Sequence, residues 1–435
     1  MLRLVAFFVA AVATAALYVG NAPPVRPLPC HLFGVGCPTF RVEHRAPLAE
    51  ASAWRRVVRA TRANFDAGYD AGGTVAAFVD GEPVLDYAFG YVNDGRFATP
   101  YALDAIQMVF SSTKFVTSCV ILHLIDRGLL EWDAPVAKYW PEFAQAGKAA
   151  VTVEDLLSHA GGVQHVAAPL ATDVVLRGGA PLRAALAKTP LDERTWRQRG
   201  KQGYHGFTRG LYLNALCELV DPQHRTIEQY AHDEFFAKLG ADYAGADDFR
   251  IGLSNDTAVD GDAVHRDGGV VGLPAHKALL GLLPRMFVPP LRRFFSDHFL
   301  DDDEYNCFAQ FGNASSIAHS AFVNILAEGG DVDIVGMGAA SNELRAMHSP
   351  SSHGFTNARS LARLAAVLAQ GGTDRRTGTT VAAKHVVEHA ARPYAPLYDE
   401  VLHKPIAYTP AGFGATYSVA APPPRGGPRR RPQAP

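Results

Sequence analysis

A serine stands three residues ahead of a lysine at the head of an apolar stretch. Phe110-Ser111-Ser112-Thr113-Lys114 runs directly into Phe115 to Ile125, which reads as an apolar helix. Side chains at i and i+3 share a helix face, so the Lys114 amine can come within hydrogen-bond reach of the Ser111 oxygen. Burial disfavours a charged ammonium and lowers its pKa toward the range in which an amine accepts a proton. The helix N-terminus adds backbone N–H groups and a positive dipole end beside the serine, which favours a developing oxyanion. The pattern therefore describes a hydroxyl made nucleophilic without a histidine. Alone it is weak, because about one or two such spacings arise by chance in a chain this long. A helix capped by Ser111 or Ser112, with Lys114 in solvent, is the plain alternative.

The surrounding blocks change that balance. The stretch Gln107 to Lys114 is followed by Ile125-Asp126-Arg127-Gly128-Leu129-Leu130, then by Asp133-Ala134-Pro135-Val136-Ala137-Lys138-Tyr139-Trp140-Pro141-Glu142-Phe143. Thr152-Val153-Glu154-Asp155-Leu156-Leu157-Ser158-His159-Ala160-Gly161-Gly162, Gly203-Tyr204-His205-Gly206-Phe207-Thr208 and Gly354 to Leu364 come after them in that order. Together, over about residues 45 to 415, these blocks resemble the serine beta-lactamase-related family of class C beta-lactamases, DD-peptidases and esterases. The resemblance implies an α+β, beta-lactamase/transpeptidase-like fold, with an antiparallel sheet flanked by helices and a helical subdomain. It also implies acyl transfer, in which Ser111 attacks a carbonyl, Lys114 and Tyr204 handle the proton, and water later releases the acyl group. Ester, amide and lactam small molecules are the substrates such a site takes, and no cofactor is implied.

Two departures from the family pattern qualify this expectation. The family's tyrosine element is commonly Tyr-x-Asn, and here it is Tyr204-His205-Gly206, so a side chain expected to hold a substrate amide is absent. This tilts the reading from lactamase or peptidase toward esterase. The third element, a Lys-Thr-Gly or His-x-Gly strand, should follow Ala411 to Tyr417, but the chain runs instead into Pro422-Pro423-Pro424-Arg425 and a Pro/Arg-rich tail over 421–435 that reads as disordered. The expectation is a C-terminus truncated before the last sheet strands. That would leave an unpaired sheet edge and remove one oxyanion donor, at roughly 2.7–4 kcal/mol in the transition state. A catalytically impaired descendant serving as a binding module is the alternative function.

Composition bounds the rest. The chain has 435 residues, 48% hydrophobic and 19% charged, with a formal net charge of −2, which is ordinary for a globular protein and gives no footing for nucleic acid. Residues 1–22, with Arg3 before an apolar run over 4–19, read as a secretory signal peptide or an uncleaved membrane anchor. A Pro-rich linker follows over 23–45, then the main domain over 46–420, with an irregular insertion at 254–348. Within that insertion, Leu279 to Phe295 is apolar, basic and broken by prolines, and is read as an insertion packed on its own domain rather than a flap or membrane contact. The protein is thus expected in the secretory pathway, secreted or membrane-anchored. Cys30 and Cys37 bracket a short loop and can pair in an oxidising lumen, while Cys119 and Cys217 read as core residues. Two sequons, at Asn255 and Asn313, suit a secreted chain, and the His159, His165 pair reads as structural.

Local signals place the elements. A helix is expected from about Ala51 to Tyr69, and strands over Thr74–Val79 and Val84–Phe89 meet at the tight-turn dipeptide Asp80-Gly81. Thr152 with Asp155 marks a helix start, and Leu361, Leu364, Ala365 and Leu368 recur at helical spacing up to a stop at Gly371.

Overall fold

A computed structural model describes residues 30, 33–45, 54–92, 99–166, 170–239, 249–253, 316–322 and 345–415. The apolar run over 4–19, both sequons, the Leu279 to Phe295 stretch and the Pro/Arg-rich tail lie outside the described residues. Among the described residues no helix is long and apolar enough to cross a membrane. Cys30 and Cys37 form a disulfide, and Cys119 and Cys217 are buried thiols.

The first sheet grows from the expected hairpin. Strands β2 (Gly72–Val79) and β3 (Glu82–Gly90) pair antiparallel, and β1 (Val42–His44) adds to the far side of β3, in the order β1-β3-β2. Asp80 and Gly81 both have positive φ, 53° and 87°, the requirement of a tight turn whose twist matches the strands it joins. Helix α1 (Arg55–Ala67) begins four residues later than expected and ends on Gly68 in the left-handed region. It lays Phe65 against Leu85, Tyr87, Phe89 and Tyr91, each such side chain contributing roughly 1.5–3 kcal/mol on burial. Among the described residues β2 has no second strand partner. A groove of about 490 Å³ lies beside it, lined by α1, Gly72 to Val75, Gln107, Val109 and Thr356 to Ala358.

The larger core is helical. Helix α2 (Thr113–Asp126) is buried almost all round, with Val116, Cys119, Val120, Ile121, Leu122 and Leu124 fully enclosed. A helix apolar on every face can only sit in an interior. Helices α3 (Val153–Leu157), α4 (Gly179–Lys188), α5 (Thr208–Val220) and α6 (Ile227–Ala231) share one core with it. Thr152 and Asp155 close a reciprocal capping box on α3, satisfying two otherwise orphaned amides. Helix α7 (Ala358–Ala369) packs across β2, its Ala358 N–H donating to Thr74 Oγ1 at 3.1 Å. Helix α8 (Lys384–Ala390) covers α2 from the other side.

Two small sheets frame the start of α2. Strand β4 (Gln107–Met108) and β5 (Phe249–Ile251) flank β6 (Gly354–Thr356), all antiparallel. Strands β7 (Leu397–Asp399), β8 (Lys404–Tyr408) and β9 (Gly414–Ala415) form the return to sheet near the C-terminus, as a separate sheet. The architecture is therefore α+β. The position expected for the third family element, beyond Tyr417, lies outside the described residues.

One buried ion pair secures α7. Arg363 and Asp374 are enclosed, with Nη2 donating to Oδ2 at 2.6 Å, and the same carboxylate accepts from Thr377 N–H at 2.9 Å. The guanidinium and these donors hold the Asp374 carboxyl well below the usual carboxylate range, although burial opposes them. Removing one partner of such a pair leaves an uncompensated buried charge. Asp374→Ala is expected to cost about 3–5 kcal/mol, seen as a lower midpoint in thermal unfolding. An unchanged midpoint would refute this account of the α7 anchor.

Candidate active site

The turn that presents Ser111 is strained. Phe110 opens a 3-10 turn, Phe110–Ser112, with φ of +44°, a left-handed value costing a non-glycine residue on the order of 1–3 kcal/mol. The surroundings enforce it. Val109 N–H donates to Gly354 O at 2.8 Å, the Thr113 hydroxyl donates to Phe110 O at 2.5 Å, and Gly354 N–H donates to Thr113 Oγ1 at 2.8 Å. A side chain at Gly354 would meet Thr113 Oγ1 at 2.6 Å, so only glycine allows that approach. The result exposes Ser111 while Lys114, one helical turn on, is 7% exposed. The plain alternative from the sequence does not hold: the Ser112 side chain makes no capping bond, and Lys114 is not in solvent.

Two chemical groups meet at the Ser111 hydroxyl. Lys114 Nζ lies 3.2 Å from Ser111 Oγ, and Tyr204 OH donates to that oxygen at 2.7 Å. Lys114 Nζ also donates to Gly206 O at 2.6 Å and Ser351 O at 2.9 Å. Burial first, and the Arg209 charge second, push the Lys114 amine well below the ordinary lysine range. A neutral amine has two N–H groups and one lone pair. The two carbonyls take two of its positions, and the third side of the nitrogen faces the serine. Burial raises the Tyr204 phenol, keeping its proton in place, and Lys114 Nζ stands 4.8 Å from the centre of its ring.

Tyr204 is positioned by its neighbours. Its N–H donates at 3.1 Å to Asp399 Oδ1, and Asp399 also accepts from Val401 and Leu402 N–H and from Tyr408 OH. Gln202 donates to Leu397 O and Ile406 O, tying the same loop to β7 and β8. The Tyr204 ring lies 4.7 Å from the His159 ring. His205 N–H donates to His159 Nδ1 at 3.0 Å, and its Nδ1 donates to Gly203 O at 2.6 Å while Nε2 accepts from Val163 N–H at 3.2 Å. These bonds assign a neutral tautomer to each ring.

All three sequence candidates, Ser111, Lys114 and Tyr204, thus converge. Gly206, which in the sequence is a lost amide donor, contributes its carbonyl to Lys114 instead. Ser351, Asp399 and Arg209 escaped the sequence reading: Ser351 acts here through its main chain, which has no side-chain signature, and the other two are placed only by long-range packing.

The family model described as Beta-lactamase matches residues 61–419. The chain is 36% identical over 164 residues to Esterase/beta-lactamase LipL of Mycobacterium tuberculosis (strain ATCC 25618 / H37Rv), covering 38% of this chain and 37% of that protein. It is 28% identical over 180 residues to Acyltransferase calJ of Penicillium decumbens, covering 37% and 42%. The matched region thus spans less than half the length of these curated relatives. Among solved structures it is similar to a family VIII carboxylesterase, with a TM-score of 0.64 and 22% identity over 87% of this chain and 84% of that one. A penicillin-binding protein homolog from Caulobacter crescentus gives a TM-score of 0.60 at 24% identity, covering 86% and 83%. Both likenesses show the beta-lactamase/transpeptidase-like fold.

Burial around the site also sets a pH dependence of stability. Four enclosed histidines are held below the ordinary imidazole range, chiefly by burial: His123 to about 4, His205 and His353 to about 3, and His159 well down. The folded state refuses protons that the unfolded chain accepts near pH 6.5. Their contribution is therefore complete above that pH and is lost as pH falls toward the folded values, by up to about 1.4 kcal/mol per pH unit for each. Urea unfolding at pH 7, 6 and 5 should show a steady decline in midpoint. A flat profile across that window would contradict it.

Proposed function

The chain belongs to the beta-lactamase family, and from that premise we propose that it is a serine hydrolase acting through an acyl-enzyme on Ser111. The observation that carries this reading is the Ser111 oxygen held 3.2 Å from a buried lysine nitrogen and 2.7 Å from a phenol. Ser111 passes its proton to the Lys114 lone pair as the oxygen attacks a substrate carbonyl carbon. The tetrahedral intermediate collapses when the bond to the leaving oxygen or nitrogen breaks and that atom takes the Tyr204 proton. Tyr204 regains a proton from Lys114. Water then repeats the sequence, ending with a free acid and the Ser111 hydroxyl restored.

Esters are the favoured substrates within a range that includes amides and lactams. Gly206 supplies no side chain to hold a substrate amide, and the names of LipL and of the family VIII carboxylesterase include esterase activity. The Cys30–Cys37 disulfide supports residence in an oxidising compartment, in keeping with a secretory leader over residues 1–22.

Ser111→Ala should abolish both ester turnover and labelling by a fluorophosphonate, and surviving turnover would defeat the proposal. No labelling of a folded wild-type sample would favour the binding-module alternative. Tyr204→Phe should lower kcat for alkyl esters by roughly 10²–10⁴. Its effect on kcat/KM, which reports acylation alone, should be smaller for a nitrophenyl ester, whose leaving group needs no proton. Equal losses in kcat/KM on both esters would assign Tyr204 a role other than proton donor.

A further inference from the structure

Arg209 and Arg363 are the largest fully buried side chains in the described structure, and the place of Arg209 is unusual. It stands in the first turn of α5, five residues after Tyr204, with 0% exposure. Its Nε donates to Leu157 O at 2.8 Å, at the end of α3. One Nη donates to Lys114 O at 3.4 Å, and the other to Ser118 Oγ at 2.7 Å and Ala411 O at 2.8 Å. Every one of these acceptors is a neutral carbonyl or hydroxyl. No carboxylate pairs with Arg209 among the described residues. Buried guanidinium groups are ordinarily matched to a carboxylate, because desolvating an unpaired charge is expensive. Arg363, equally buried in this chain, follows that rule with Asp374.

The fold is built closely around this cation. Gly412 has φ of +77°, and a Cβ there would come within 2.0 Å of Leu157 O and 3.0 Å of the Arg209 Nη2. The site thus admits the turn after β8 only as glycine, with Ala411 O aimed at the guanidinium. Burial draws Arg209 down to about 10, which leaves it charged at neutral pH. Tyr204, His159, His205 and His353 surround Lys114 from the other elements, and burial keeps each of them uncharged. Asp399 and Tyr408 face Tyr204 from β7 and β8; burial pushes both upward, while the four hydrogen bonds that Asp399 accepts oppose that push. Among the described residues Arg209 is the charge that, after burial, pushes the Lys114 amine down.

We propose that Arg209 is a positioning residue for the reaction: an unpaired buried cation, fastened under the Lys114 main chain, that keeps the Lys114 side chain as the neutral amine Ser111 requires. The inference rests on the serine-hydrolase reading above and names what tunes the base of that site. The cation costs stability in its own right, and its carbonyl partners offset part of that cost while leaving its field unneutralised. A carboxylate in their place would secure the same geometry and cancel the field.

The test follows the rate of Ser111 labelling by a fluorophosphonate against pH in the full chain. Arg209→Gln keeps N–H donors for the carbonyls and removes the charge. Ser118→Asp keeps the arginine and places a carboxylate against it, which carries the test even where the glutamine variant does not fold. In both, the acidic limb should move up by about one pH unit, or tenfold less labelling at a pH on that limb. Lower amplitude with an unmoved limb in the folded variants would overturn the inference and leave a structural role only. An unlabelled wild type would instead remove the hydrolase reading itself, and this inference with it.

Discussion

An amine buried beside an exposed hydroxyl is the constraint on which this structure turns. Lys114 can be enclosed because α2 is apolar on all sides and because two main-chain carbonyls, of Gly206 and Ser351, meet its N–H groups. Without them the nitrogen would be an unsatisfied polar group in an interior, at about 1–3 kcal/mol or more. With them it is held in one place, and the helix axis then dictates where Ser111 must stand. The strained Phe110 turn converts that placement into access, lifting the serine to the surface one turn above a buried amine.

The partners of this pair arrive from far along the chain. Gly203 to Gly206 comes from the loop before α5, Pro350 to Gly354 from the approach to β6, and Asp399 and Ala411 from the C-terminal sheet. Several of these approaches are so close that only glycine fits, as at Gly210 against Ser351 N and Gly412 against Leu157 O. Such contacts leave little room for adjustment. The neutral histidines His159 and His205 extend the same logic, with each ring nitrogen of His205 bonded to main chain and the ring of His159 packed on Tyr204. The site is a polar network enclosed in a hydrophobic core, in which main-chain carbonyls fix the directions of the Lys114 donors and much of the Arg209 donors.

Much of the scaffold was legible from local chemistry. The Asp80-Gly81 turn, the Thr152–Asp155 cap, the Gly371 stop and the apolar run after Lys114 each express a preference that needs only a few neighbouring residues. The Cys30–Cys37 spacing permitted a disulfide that the structure contains. Where the reading left two outcomes for Ser111 and Lys114, capped helix or buried base, the decision came from burial, which no local window reports. Gly206 was legible only as a missing side chain. Its carbonyl is what the site uses, and main-chain groups are carried by every residue alike.

The sequence by itself determined the candidate nucleophile, its spacing from the lysine, the tyrosine that meets it, and the class of fold that holds them. These are properties of residue type, short-range periodicity and ordered blocks. Only the tertiary structure decided that Lys114 is enclosed, which carbonyls hold it, and that Arg209 stands beside it with no carboxylate partner among the described residues. The physical reason is that charge state and hydrogen-bond direction depend on what surrounds a group in space. Here those surroundings are assembled from segments as much as 297 residues apart, since Lys114 and Ala411 share the hydroxyl of Ser118.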